Sequence, residues 1–241
     1  QEPRGLNRGS DAVIEERPAN ELLTFGGRSL IGGAYATLSA RYPAFDVTPG
    51  SFISHLVGFD EIYSIETFRG KYQTNDGDES HGTAAKQRYL LIYGLPPKSQ
   101  YRLLAEALES AGADRLLVPE MRPQLWGAQA VARALLDLNA PVTVISDNMM
   151  GTLFAHGEIA QLCFFYSRLA DDGATGITGS LLAVQLARVH GVPIKLCSDE
   201  ERIGAVVDVD VATFLGKRIR PAGVSILPLE PEVVPWPLLR D

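Results

Sequence analysis

Residues 88–120 read RYLLIYGLPPKSQYRLLAEALESAGADRLLVPE. RYLLIYG (88–94) is a short apolar run closed by Gly-Leu-Pro-Pro, the pattern of a buried strand. SQYRLLAEALESAG (99–112) carries apolar residues at helical spacing, with Ser99 at the N-cap position and Gly112 at the end. RLLVPE (115–120) is a second apolar run. Outward from this unit the alternation continues. A helix is expected over 124–139, a strand over 141–146, a short helix from Asp147, a strand over 160–168, a helix over 178–191 and a strand over 192–198. Strands and helices alternating at roughly 25-residue spacing mean βαβ units, a parallel sheet and helices on both faces. The expected fold is α/β, a Rossmann-like doubly wound sheet.

Composition narrows the function. Apolar residues make up 46% and charged residues 21% of 241 residues, the balance of an ordinary globular chain. A net charge of −7 disfavours a nucleic-acid surface, which needs a basic footprint. No apolar run approaches the ~20 residues of a membrane helix. QEPRGLNRGS has no apolar stretch of the kind a signal peptide carries. Cys163 and Cys197 fall in apolar runs, which fits buried thiols and a cytoplasmic location. His55, His81, His156 and His190 have no metal-ligand spacing, so no metal is expected. The first strand runs into GLPPKS rather than G-x-G-x-x-G, and no cofactor is expected.

The chain divides into three parts: residues 1–72, a polar segment QTNDGDESHGTAAKQ (73–87) read as a linker, and the α/β module 88–241. The first part holds GAYATLSA (33–40), read as a strand. Thr48-Pro49 is then read as the start of a helix running into FISHLV, with Pro43 and Asp46 shaping the turn before it. One short device is written twice. TFGGRSLIGG begins at Thr24 and TFLGKRIRPA at Thr213, and a strand-like GVSIL follows the second copy.

Several motifs together resemble the methylthioribose-1-phosphate isomerase family, which is related to the α, β and δ regulatory subunits of initiation factor two-B. IEERPANELLTFGG and PAFDVTPGSFISHLV, within 14–57, are similar to the ending of that family. EMRPQLWGAQ (120–129) resembles its ETRP-x-x-QGAR segment. ISDNM (145–149) resembles its ITDNM, and GSLLAVQLARVHGVPIKL (179–196) its glycine-threonine helix and following strand. The resemblance implies that 1–72 is the tail of one module and 88–241 a second, degenerate copy. Such a chain is either the C-terminal part of a tandem or split protein, or a permuted relative. A second tail favours the former. The strand at 33–40 would then lie on a sheet supplied by another isomerase-family chain or by a missing upstream module.

The resemblance also implies a sugar-phosphate chemistry, an aldose-1-phosphate to ketose-1-phosphate isomerisation. Such a reaction needs an acid/base pair at C1 and C2 and a phosphate clamp. The family is understood to use a cysteine after the first core strand and an aspartate in Gly-Ala-Asp-Arg after the fourth. Here Tyr93, Gly94 and Leu95 occupy the first place and Ser167 the second, with Arg168 retained. Ile177 and Thr178 replace its Asn-Lys pair, and Trp126 and Gln129 its glutamine and arginine. Catalytic residues therefore stay unassigned. Asp171 and Asp172 are the candidates for a shifted acid, and Cys163 reads as a buried small hydrophobe. The candidate phosphate ligands are Arg122, Asp147, Asn148, Arg168, Thr178 and Ser180, at the carboxyl ends of the strands. Asp147 also reads as a helix N-cap or as a pair with Arg122. Asp46 and Thr48 belong to the tail motif, beside a partner's site. Three functions remain: a non-catalytic structural subunit, a regulatory module binding a phosphorylated small molecule, and an active isomerase with altered acid/base residues.

Overall fold

The computed structural model describes residues 13–30, 39–46, 48, 50–57, 62–72, 87–199, 211, 213–225, 227 and 231–240. The expected linker lies outside these residues but for Gln87.

Its centre is a six-stranded, wholly parallel sheet. In chain order the strands are β1 (Ser39–Ala40), β2 (Tyr89–Tyr93), β3 (Arg115–Pro119), β4 (Val142–Ile145), β5 (Ile159–Tyr166) and β6 (Ile194–Ser198). Across the sheet they lie in the order β6-β5-β2-β3-β4-β1. The five expected core strands are thus present. Leu90 to Ile92, Leu116 to Val118 and Leu162 to Phe165 are buried, as continuous apolar runs must be when helices cover both faces. Helix α1 (Gln100–Glu106) packs on α2 (Ala132–Asp137), and α3 (Met150–Ala155) on α4 (Ser180–Val189), one pair for each face. A π-helical turn, Gly127–Val131, leads into α2. Only glycine fits at 127, because a Cβ there would stand 1.8 Å from the Pro119 carbonyl oxygen. That approach sets the start of the helix against the end of β3.

The tail at 13–46 is anchored to this chain's own sheet. Ser39–Ala40 pairs with Thr143 and Val144, and the Ser39 hydroxyl donates to the Val142 carbonyl at 3.1 Å. Arg41 pairs with Glu16 at 2.7 Å and with Glu158. The expected docking of this strand on a foreign sheet is therefore corrected: β4 of the same polypeptide supplies its partner. The rest of the expected strand, 33–38, lies outside the described residues.

Two further expectations fail. FISHLV contains no helix: Gly50–Phe52 is a single 3-10 turn, and His55–Val57 forms an antiparallel hairpin with Ile62–Ser64. The β-branched Val57 and Ile62 face one another there, an arrangement strands favour. Gly223 to Ser225 are not in a strand either. The strand of the C-terminal segment is Glu232–Pro235, which completes a three-stranded sheet with Arg168–Ala170 and Gly173–Gly176.

The repeated device forms two matching hairpins, Thr24–Phe25 with Arg28–Ser29 and Thr213–Phe214 with Lys217–Arg218. They pack on each other. The Phe25 and Phe214 rings meet edge to face at 4.9 Å. Arg28 donates to the Leu215 carbonyl at 2.9 Å, and the Lys217 ammonium lies 5.4 Å from the Phe25 ring centre. Each basic side chain thus reaches the other hairpin, the reciprocity of two like surfaces meeting about a two-fold axis.

Candidate functional site

In a doubly wound sheet the ligand crevice opens where the strand order reverses, here between the carboxyl ends of β2 and β5. In this chain that crevice is filled. Tyr93, 2% exposed, ends β2, and its hydroxyl donates to the Thr178 carbonyl at 3.1 Å. Gly179 lies against it at φ 92°, where a Cβ would stand 1.9 Å from the Tyr93 oxygen. Burial, with Asp147 and Glu232 nearby, pushes the phenol well above its ordinary range, so it stays neutral. The N-terminus of α4, an anion site by its free N–H groups, is also taken. The Leu181 N–H donates to the Glu232 carboxylate at 2.8 Å. Ser167 is tied into the neighbouring hairpin, its N–H donating to the Thr175 carbonyl at 2.8 Å.

An open cavity of about 240 Å³ lies one step along the sheet, at the ends of β3 and β4. Glu120, Arg122, Ser146 and Asn148 line it from the sheet. Phe25 and Phe214 close it from the paired hairpins, with Glu21 and Tyr42 at the side. The Arg122 guanidinium lies over the Phe214 ring, 4.0 Å from its centre. The Asn148 side-chain oxygen accepts from the Ser146 hydroxyl, which leaves the amide NH₂ as a donor.

Asp147 holds this loop in place. Its carboxylate accepts from the Met121 and Arg122 N–H groups, both at 2.8 Å. It caps no helix with its side chain: the residue at the cap position is Ser146. The pairing expected with Arg122 is thus made to the Arg122 backbone. Burial raises the Asp147 carboxyl, while the two N–H groups pull it back down. Glu120 is 7% exposed; its N–H donates to the Ile145 carbonyl at 2.8 Å, and its carboxyl makes no hydrogen bond or ion pair with another described residue. Burial, then the negative charge of Asp147, push its carboxyl up to about 7, with Arg122 opposing.

Of the six expected ligand residues, the structure brings together three. Arg122 and Asn148 line the cavity and Asp147 orders its wall. Arg168 is exposed on the hairpin strand Arg168–Ala170, outside the cavity. Thr178 lies beside Tyr93, and the Ser180 hydroxyl is fully buried with no hydrogen-bond partner among the described residues. Asp46 accepts from the Thr152 hydroxyl on α3, and Thr48 is exposed. Trp126 packs on the core, and both cysteines are buried free thiols. The sequence marks Tyr93 only as a replacement for the family cysteine and gives no signal for Glu232. Glu120 carries a legible signal, a carboxylate directly after a strand in PEMRP.

Comparison with known proteins agrees with the motifs. The methylthioribose-1-phosphate isomerase of Anaeromyxobacter sp. (strain Fw109-5) is 34% identical over 147 residues, 55% of this chain and 43% of that protein. The same enzyme from Syntrophobacter fumaroxidans is 28% identical over 146 residues, 55% of this chain and 42% of its own. Over about half of its length the chain is similar to methylthioribose-1-phosphate isomerases. It spans less than half the length of these isomerases. No family model matches it. The δ subunit of initiation factor eIF-2B from A. fulgidus shares the fold at a TM-score of 0.54 and 18% identity, over 64% of this chain and 51% of that one. The 5-methylthioribose 1-phosphate isomerase of Pyrococcus horikoshii OT3 does so at 0.53 and 21%, over 64% and 49%. Among the described residues, no helix is long and apolar enough to cross a membrane.

Proposed function

We propose that this chain is a subunit or fragment of a sugar-phosphate isomerase-family protein, and that its Rossmann-like part serves structure and assembly rather than turnover. One observation carries the reading: the crevice at the strand switch point is filled by Tyr93, and the Glu232 carboxylate sits on the α4 N-terminus where an anionic substrate would go. An isomerase needs an acid/base pair facing C1 and C2, and Tyr93 and Ser167 stand where the family is understood to place its cysteine and aspartate. A buried phenol that keeps its proton, with its O–H committed to the Thr178 carbonyl, and a hydroxyl committed to the Thr175 carbonyl supply no proton acceptor at pH 7.

In this reading residues 1–72 descend from the ending of a module and 88–241 from a second copy, joined by 73–87. Pairing of Ser39–Ala40 with β4 favours the permuted arrangement over the split one, because the family-like ending completes the sheet of its own chain. The partner is another isomerase-family chain or an upstream module, in the cytoplasm. Phe45, Phe52, Val57 and Ile62 are more than 60% exposed on the tail and offer an apolar surface to it. Native mass spectrometry of the purified native sample tests this. A lone monomer with no companion chain counts against assembly.

A second reading, a regulatory module that binds a phosphorylated small molecule, is favoured by the cavity. Arg122 and Asn148 line the same open cavity with side-chain N–H donors, the Arg122 guanidinium stacked on Phe214. Calorimetric titration with sugar phosphates and nucleoside monophosphates, against an Arg122→Ala variant, tests it.

A further inference from the structure

We propose that Glu120 recognises an anion in this cavity as a neutral acid, donating a hydrogen bond to it, so that each binding event takes up a proton. The inference rests on the second reading above, that the cavity takes an anion, and adds how the site is controlled.

The geometry sets the requirement. Glu120 lines the cavity beside Arg122 and Asn148, is more than nine-tenths buried, and its carboxyl makes no hydrogen bond or ion pair with a described residue. The carboxyl lines an open cavity, so it is available to whatever enters. An ionised carboxylate only accepts hydrogen bonds and would repel an anion held by Arg122 and Asn148. A protonated one has an O–H to give. Arg122, Asn148 and the Glu120 acid then present three donors around one space, with Phe25 and Phe214 beside them.

The charged groups facing Glu120 agree. Asp147, beyond the end of β4, disfavours a second negative charge, and Arg122 on its own loop favours one. Glu21 across the cavity is paired with Arg17 at 3.1 Å, and Tyr42 lies at the side. Lifted to about 7, Glu120 is divided between its two forms at neutral pH, and an arriving anion shifts it to the acid.

Sulfate is the probe, because its charge does not change between pH 6 and 9, whereas a phosphate monoester titrates near 6. Calorimetry on the full chain at pH 7.5, in two buffers of different ionisation enthalpy, reads proton uptake directly. The expected result is uptake of more than half a proton, with affinity falling about tenfold per pH unit above 7.5. In E120Q the uptake and the pH dependence both disappear. Sulfate binding without uptake, or uptake that persists in E120Q, overturns this inference and leaves the anion reading standing. No sulfate binding at pH 6 at any concentration overturns both. The two-buffer measurement on the unaltered chain does not depend on the variant folding.

Discussion

Replacing Glu120 by Gln keeps the shape of the side chain and removes its titration, so it isolates the cost of a buried carboxylate. Burial and Asp147 hold this carboxyl at about 7 in the folded chain, against an ordinary value of 4.5. The folded state therefore binds the Glu120 proton more tightly than the unfolded state does. Below 4.5 both states carry the proton and the site costs nothing. Between 4.5 and 7 the unfolded chain ionises first and stability falls. Above 7 the folded chain ionises too and the full cost is present. At 1.36 kcal/mol for each unit, that cost is about 3 kcal/mol. Urea denaturation of both proteins from pH 4.5 to 8.5 reads it as the difference between two midpoints, in which the other titrating groups largely cancel. E120Q should gain about 3 kcal/mol on the unaltered chain across that range. A difference that stays flat, or that moves the other way as pH rises, would show that Glu120 is solvated or paired and would refute the reasoning.

Gly127→Ala should destabilise the chain by about 3 kcal/mol in the same assay, because the new Cβ would fall 1.8 Å from a backbone oxygen that cannot yield. Phe214→Ala should cost about 3 kcal/mol, since the ring is 8% exposed and carries both the Phe25 contact and the Arg122 stack. Thermal unfolding checks this, and an unchanged midpoint would separate the hairpin pair from the core. Glu232→Gln should cost about 1 kcal/mol by weakening the charge at the α4 N-terminus. High salt should shrink the difference.

The sheet was legible because its strands are buried on both faces. RYLLIYG and RLLVPE cannot be amphipathic, and their lengths and flanking turns separate them from helices. The hairpin at 55–64 was not legible, since Thr-Pro is a strong helix start and a three-residue strand has too little pattern to oppose it. Gly173–Gly176 and Glu232–Pro235 were missed for a related reason. Glycine, alanine and proline give no alternation to read, and their pairing is set by distant chain rather than by local preference. For the site, the sequence brought Arg122, Asp147 and Asn148 to one end of the sheet, since each follows directly on a strand. It did not reveal the role of Asp147, because one carboxylate at that place serves as a helix cap or as a loop clamp with the same residue type. Tyr93 and Glu232 lie 139 positions apart in sequence, and only folding puts both beside α4. The repeated Thr-Phe device was visible from the start. That the two copies meet each other could be known only once the tail was seen on its own chain's sheet.

The central claim, that the switch-point crevice has been closed to substrate, is tested most directly by incubating the purified chain with methylthioribose 1-phosphate and following the ketose product by phosphorus NMR. Each lost proton transfer costs ~10²–10⁴ in rate, so the account predicts no product above the buffer background. Turnover within tenfold of the Anaeromyxobacter isomerase measured alongside would contradict it.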